Sequence, residues 1–407
     1  MAKEYFYTCV NCNASYTNTK IHYLCPECAK DNREGAPLKG VLKVLYPYAA
    51  LKAKLNEEPD FLKKADYLDL LPIENWKSWP PLLVGKTPVY SFDQELNKED
   101  AFSLHLKVES SNPTFSFKDR ASALVSAFAK EKNIQTIVAA STGNAGSSLA
   151  GICASQKQNA IILVPQNAPK AKLTQVLMYG AQLIPVKGNY DQAYDLSLSL
   201  SEKKGWYNRN TAFNPLTIEG KKTVSFELYE QLPKIPDHLF VPVGDGVILA
   251  GVYKGFEDLL ALGLIAKMPH IIAVQADGSS NLIDNLNTEN PVFKAASTIA
   301  DSISVDIPRN YFMAKDFLNR YNGAGIKVTD TEILEASQIL ASQFGLFVEP
   351  AAASAYAGLL KFKNKIAKNE HVVVLLTGNG LKDIVSVSSL LDFPDPVDLK
   401  HFNFDQY

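Results

Sequence analysis

Short unbroken apolar runs alternate along this chain with stretches whose apolar residues recur every third and fourth position. The runs at 134–140, 160–165, 181–186, 238–243, 270–276 and 371–376 have strand length and lack polar alternation, as strands buried on both faces do. Helical periodicity marks 147–155, 172–179, 191–204, 218–231, 248–262, 330–344 and 352–367. Strands that take turns with helices of about a dozen residues predict a parallel α/β architecture. A further helix is expected from Lys118 to about Lys132, because Ala121, Leu124, Val125, Phe128 and Ala129 fall on one helical face. Ser116 and Asp119 stand before it at capping-box spacing. No repeat or low-complexity tract interrupts the pattern, and the Pro- and Trp-bearing segment 71–81 reads as a linker into the main body.

Composition narrows this picture without changing it. At 407 residues, a prior of roughly 150 residues per domain suggests two or three domains. The hydrophobic and charged fractions, 46% and 21%, are those of a globular enzyme. A net charge of −2 with no basic patch argues against a nucleic-acid partner. No apolar run approaches the roughly 20 residues of a membrane helix, and the amino-terminal residues lack a signal-peptide layout. A cytoplasmic protein is therefore expected.

Cysteine placement adds one feature. Cys9-x-x-Cys12 and Cys25-x-x-Cys28 are separated by twelve residues, two knuckles suited to a tetrahedral four-thiolate zinc site. Iron is the lesser metal option, and two disulfides are the alternative in an oxidising compartment. Tyr5, Phe6, Tyr7, Tyr16 and Tyr23 surround the pairs and would give such a ribbon its small core. Cys153 lies in an apolar helical stretch and reads as core.

The chemistry gathers around Lys118, in Ser111-Asn112-Pro113-Thr114-Phe115-Ser116-Phe117-Lys118-Asp119-Arg120. A lysine in the first turn of a helix feels the positive end of the dipole, which favours the neutral amine. Burial against Phe115 and Phe117 would act the same way. A neutral, desolvated amine is what covalent catalysis on carbonyl groups needs. The plain alternative is a surface lysine at a helix start. Three strand ends carry compatible loops: Ser141-Thr142-Gly143-Asn144-Ala145-Gly146, Gly244-Asp245-Gly246-Val247-Ile248, and Thr377-Gly378-Asn379-Gly380-Leu381-Lys382-Asp383. In open α/β sheets, ligands collect at such carboxyl ends, against helix amino termini. Gly244–Gly246 with Asp277 also keeps a nucleotide site conceivable, although the third glycine of that fingerprint is missing.

Together these segments resemble the fold type II family of pyridoxal-phosphate enzymes. The resemblance rests on Val84-Gly85-Lys86-Thr87-Pro88, the Ser-Phe-Lys-Asp-Arg lysine segment, the Ser-Thr-Gly-Asn loop and Asn214-Pro215. It continues through Glu219-Gly220-Lys221-Lys222-Thr223, the Gly-Asp-Gly loop, Glu349-Pro350-Ala351-Ala352 and the Thr377 loop, in the family's order. It implies two open, mostly parallel α/β domains of the tryptophan synthase β-like kind after a zinc-ribbon-like segment. The implied division is 1–35 for the ribbon, 36–110 with 211–407 for a large cofactor domain, and 111–210 for a small domain.

The resemblance also implies roles. Lys118 would hold pyridoxal 5'-phosphate and move protons. Asn144 would meet its 3-oxygen, and Thr377 its ring nitrogen. The backbone of Gly244, Asp245, Gly246, Val247 and Ile248 would bind its phosphate. Ser141, Thr142, Gly143 and Ala145 would take the substrate carboxylate, with Arg120, Lys172 and Arg209 as candidates for a substrate phosphate. The implied reaction is γ-elimination and β-addition, turning O-phospho-L-homoserine and water into L-threonine and phosphate, in a homodimer. Sister reactions are a serine or threonine ammonia-lyase and a phosphoserine-dependent synthase such as cysteate synthase. A non-catalytic ligand-binding protein on this fold is the alternative from another class.

Overall fold

A computed structural model describes residues 3–33, 35–92, 102–168, 170–388 and 390–397, apart from the side chains of residues 171 and 172. Three sheets organise the described residues. The strands in chain order are β1 (Phe6–Cys9), β2 (Ser15–Thr17), β3 (Leu42–Leu45), β4 (Val89–Phe92), β5 (Ser103–Val108), β6 (Thr136–Ala140), β7 (Asn159–Pro165), β8 (Gln182–Val186) and β9 (Tyr207–Asn208). They continue with β10 (His238–Pro242), β11 (His270–Ala276), β12 (Ala324–Val328) and β13 (His371–Leu376). β1 lies between β2 and β3 in an antiparallel ribbon sheet. A four-stranded parallel sheet runs β8-β7-β6-β9. The six-stranded sheet runs β12-β11-β10-β13-β5-β4, parallel throughout except for β4 at its edge.

The parallel strands are buried because helices cover them. Val372 to Leu376 in β13 and Ile271 to Ala276 in β11 are closed to solvent, and each fully buried Val, Leu or Ile contributes about 1.5–3 kcal/mol. All the expected strands form. β5, which sequence periodicity does not suggest, carries His105 and Lys107 between apolar residues, and both are buried. Lys107 is accommodated because its ammonium donates to Glu227 at 2.6 Å and to the carbonyl of Thr87 at 2.7 Å. The ribbon extends beyond the expected boundary at residue 35, because β3 supplies its third strand.

The helix expected over 218–231 is two helices, Leu216–Lys221 and Thr223–Gln231. The first crosses the Lys118–Glu131 helix at Gly220, where a Cβ would lie 2.2 Å from the carbonyl oxygen of Arg120. Only glycine permits that approach. The carboxyl ends of β5, β6, β10 and β13 lead into the segments bearing Lys118, Asn144, Gly244 and Thr377, so the strand order alone directs all four toward one end of the sheets.

Candidate active site

Lys118 is the first residue of its helix, and the chain before it is tied to the loop after β13. The N–H of Phe117 donates to the carbonyl of Thr377 at 2.8 Å, the N–H of Asn379 donates to Phe115 at 3.1 Å, and Ser116 bridges to Gly378. The expected capping box does not form. Phe117 is the N-cap, without a side-chain cap. Asp119 instead accepts from the N–H and hydroxyl of Thr114, which fixes the turn before the helix. Phe115 is 49% exposed, so Phe117 and the surrounding strand ends supply the burial rather than a pair of phenylalanines. That burial lowers the pKa of Lys118; Glu349 and Asp245 oppose the shift and Arg209 adds to it.

Lys118 opens into a cavity of about 380 Å³ shared with Ser141, Thr142, Gly143, Asn144, Ala145, Arg209 and Asp245. The Ser141 hydroxyl accepts from the N–H of Gly143 at 3.3 Å and of Gly146 at 3.0 Å, shaping the loop from within. The Asn144 amide donates to both oxygens of Glu349 at 3.0 Å and to the Ser302 hydroxyl at 3.1 Å. Burial raises the pKa of Glu349, against the hydrogen bond from Asn144 and the charge of Lys118. Its close approach needs Gly378, where a Cβ would lie 2.3 Å from the carboxylate. Sequence reading quoted Glu349 within a motif but gave it no part. Glu349 is the N-cap of the helix that Pro350 starts.

At the Gly244–Ile248 loop, Gly246 takes φ +82° as the N-cap of Val247–Leu262, with no side-chain cap. Among the described residues, no protein group accepts from the N–H groups of Gly244, Asp245, Gly246, Val247 or Ile248. Five free donors at a helix amino terminus suit a phosphate. With a lysine amine facing the same cavity, the residues fit pyridoxal 5'-phosphate. Thr377, the residue after β13, is buried.

The candidates for a second phosphate separate. Arg120 does not reach the cavity. Its guanidinium is buried and donates to Glu109 at 2.7 Å and to Glu227 at 2.6 and 2.7 Å. That expectation for Arg120 is corrected: two carboxylates already hold it. The side chain of Lys172 lies outside the described residues. Arg209 lines the cavity, and its Nη2 is buried without a hydrogen-bond partner. Among the described residues its guanidinium makes one hydrogen bond, from Nε to the Ser122 hydroxyl at 3.3 Å, and burial pushes its pKa down to about 10.

The four cysteines converge away from this cavity. Their sulfurs lie within 4.8 Å of one another, with Cys9–Cys28 and Cys12–Cys25 both at 3.7 Å. A tetrahedral zinc with bonds of about 2.3 Å has sulfurs about 3.8 Å apart, so the set fits that ion. The ribbon seats on the body through Tyr23, whose hydroxyl accepts from the N–H of Asn208 at 2.9 Å and whose ring stacks on Phe213. No helix among the described residues is long and apolar enough to cross a membrane.

Residues 81–378 match the family of pyridoxal-phosphate dependent enzymes. The chain is 35% identical to a threonine synthase of Methanocaldococcus jannaschii over 92% of each chain. It is 36% identical to a threonine synthase of Halalkalibacterium halodurans over 80% of this chain and 91% of the relative. Among solved structures, the processed form of threonine deaminase isoform 2 from Solanum lycopersicum superposes with a TM-score of 0.64 at 25% identity, covering 75% of this chain and 83% of that one. Maize serine racemase gives 0.64 at 25% identity over 76% and 92%. With the lysine, the donor loop and these relatives in agreement, the chain belongs to the pyridoxal-phosphate dependent enzymes.

Proposed function

We propose that the chain converts O-phospho-L-homoserine and water to L-threonine and inorganic phosphate, the activity that the names of its relatives support. Arg209 carries the reading: a buried guanidinium with an unfilled donor, in the same cavity as Lys118, calls for an anionic group on the substrate. A ligand with a single carboxylate at the Ser141–Ala145 loop would leave it unanswered.

When bound, the cofactor would supply an electron sink that makes the substrate's α-proton easier to remove. Lys118 would hold the cofactor through its amine, whose pKa burial lowers, favouring the neutral form that reacts. Lys118 would take the substrate's α-proton and then assist loss of a β-proton. Phosphate would depart from the γ-carbon against Arg209, a proton would return to that carbon to form the methyl, and water would add its hydroxyl at the β-carbon as a proton returns to the α-carbon. Asn144, steadied by Glu349 and Ser302, meets the cofactor's 3-oxygen. Thr377 offers the ring nitrogen a hydroxyl in place of a carboxylate, which suits elimination and replacement. The donors of Thr142, Gly143 and Ala145 orient the substrate carboxylate. Cys9, Cys12, Cys25 and Cys28 would hold a structural zinc, and the family likeness supports a cytoplasmic homodimer.

The test is an assay of protein with cofactor and O-phospho-L-homoserine for threonine and phosphate. Equal appearance of both supports the reading. Turnover of serine, threonine or phosphoserine in its place assigns a sister reaction.

A further inference from the structure

Buried cations are numerous here, and nearly all are answered by acids. Lys222 donates to Glu219 at 2.5 Å and Asp258 at 2.7 Å. Lys254 pairs with Asp258, Lys107 with Glu227, and Arg120 with Glu109 and Glu227. Lys221 differs. It is 1% exposed, yet among the described residues its ammonium makes no hydrogen bond or ion pair. It ends the Leu216–Lys221 helix against the flank of Val247–Leu262, where a Cβ on Gly251 would lie 2.6 Å from its own Cβ. It therefore lies about one turn inside the helix whose amino terminus carries the free donors.

The charges that act on Lys221 belong to the same site. Burial drives its pKa well below the ordinary lysine value, Arg209 and Lys118 lower it further, and Asp245 alone opposes them. Asp245 in turn accepts from the N–H of Arg309 at 3.4 Å, and the charges of Arg309, Lys118 and Lys221 act on it. An unpaired ammonium in the interior is costly, and an apolar side chain of similar length would fill the space without that cost. Asp245, inside the donor loop, would also repel a bound phosphate unless a cation offset it. A phosphate at the loop would pair the Lys221 ammonium, and that ammonium would offset the repulsion from Asp245.

We propose that Lys221 is the ionic partner of the cofactor's phosphate, completing electrostatically a loop whose remaining donors are backbone N–H groups. This rests on the reading of Gly244–Ile248 as the cofactor-phosphate site. The substrate's phosphate is left to Arg209, which lines the open cavity while Lys221 does not.

The experiment compares wild-type and Lys221→Met apoprotein. Each is titrated with pyridoxal 5'-phosphate and with pyridoxal, which lacks the phosphate, by tryptophan fluorescence and by the absorbance of the lysine-bound cofactor. The Tm of each apoprotein is measured alongside. The expected result is a Kd for pyridoxal 5'-phosphate weakened about tenfold or more, a pyridoxal Kd within about twofold of wild type, and an apoprotein Tm that holds or rises. Inorganic phosphate should compete with pyridoxal 5'-phosphate less well in the variant. Equal weakening toward both cofactor forms, or a fallen apoprotein Tm, would make Lys221 a packing residue and overturn the proposal. Unchanged cofactor affinity with a raised KM for O-phospho-L-homoserine would overturn it in favour of the substrate's phosphate. Failure of the wild-type protein to bind the cofactor would instead overturn the underlying site.

Discussion

The N–H of Phe117 and the carbonyl of Thr377 are 2.8 Å apart, joining the residue before the reactive lysine to the end of the central strand β13. The amine is held by backbone to the scaffold that carries Thr377, so its position does not depend on side-chain rotamers outside its own. Lys118→Ala should abolish the absorbance of the lysine-bound cofactor and lower turnover by several orders of magnitude, with the fold intact by circular dichroism. A surviving band would assign another lysine.

Capture of the cofactor by apoprotein should depend on pH through the same amine. Burial holds Lys118 below the ordinary lysine pKa of about 10.4. The capture rate should therefore rise with pH and level off below that value, as read by stopped-flow absorbance. A midpoint at the ordinary lysine value would contradict the burial.

Arg209→Met removes a cation that lines the cavity and has an unfilled donor. Losing a charge-assisted contact of about 1.5–3 kcal/mol should raise KM for O-phospho-L-homoserine by about ten- to a hundredfold. Cofactor affinity should stay near wild type. Cofactor affinity falling in step with KM would place Arg209 at the other phosphate.

Arg120→Met tests whether the buried ion network around Arg120 serves stability. Breaking a buried ion network by removing one partner costs about 3–5 kcal/mol, so Tm should fall while KM in the residual activity holds. Burial works against ionisation of Glu227, but Arg120 and Lys107 outweigh it and hold its pKa at about 2. A depressed acid stabilises the fold fully above its unfolded pKa of about 4.3, and that share is lost as pH falls toward 2. The stability gap between wild type and variant should therefore close over that window in acid unfolding. A gap independent of pH would mean that packing, not charge, carries the effect.

Metal analysis should find about one zinc per chain, and removal by a chelator should lower Tm. Because Tyr23 of the ribbon holds the backbone at Asn208, next to Arg209, zinc loss should also raise KM more than it weakens cofactor binding. Zinc-free protein with freely reactive Cys9 and Cys12 would discard the site.

What the residues disclose unaided follows from local physics. β11 and β13 are continuous apolar runs, and His270–Ala276 and His371–Leu376 emerge with the expected bounds. The lysine segment and the Asn144 and Gly244 loops stand at strand-to-helix junctions as their sequence suggests. β5 was hidden because Lys107 looks exposed until Glu227, 120 residues away, is brought beside it. The same distance effect misassigned Arg120, whose partners Glu109 and Glu227 lie 11 and 107 residues away. Charge pairing across the fold has no periodicity to read, so a buried cation and a ligand-binding cation look alike until their neighbours are known.

The ribbon's contacts bear on the order in which the protein assembles. Its strands pair over short spans, whereas its seat is remote: Tyr46 donates to Glu219 across 173 positions and Lys43 pairs with Glu257 across 214. Local pairings form quickly and distant ones slowly, since chain closure must come first. The ribbon can therefore close around its metal as an early unit and dock late. Docking is also the step that sets Tyr23 against Asn208, so competence toward the substrate's phosphate should lag behind competence toward the cofactor during refolding, a delay that double-jump assays of the two activities would time.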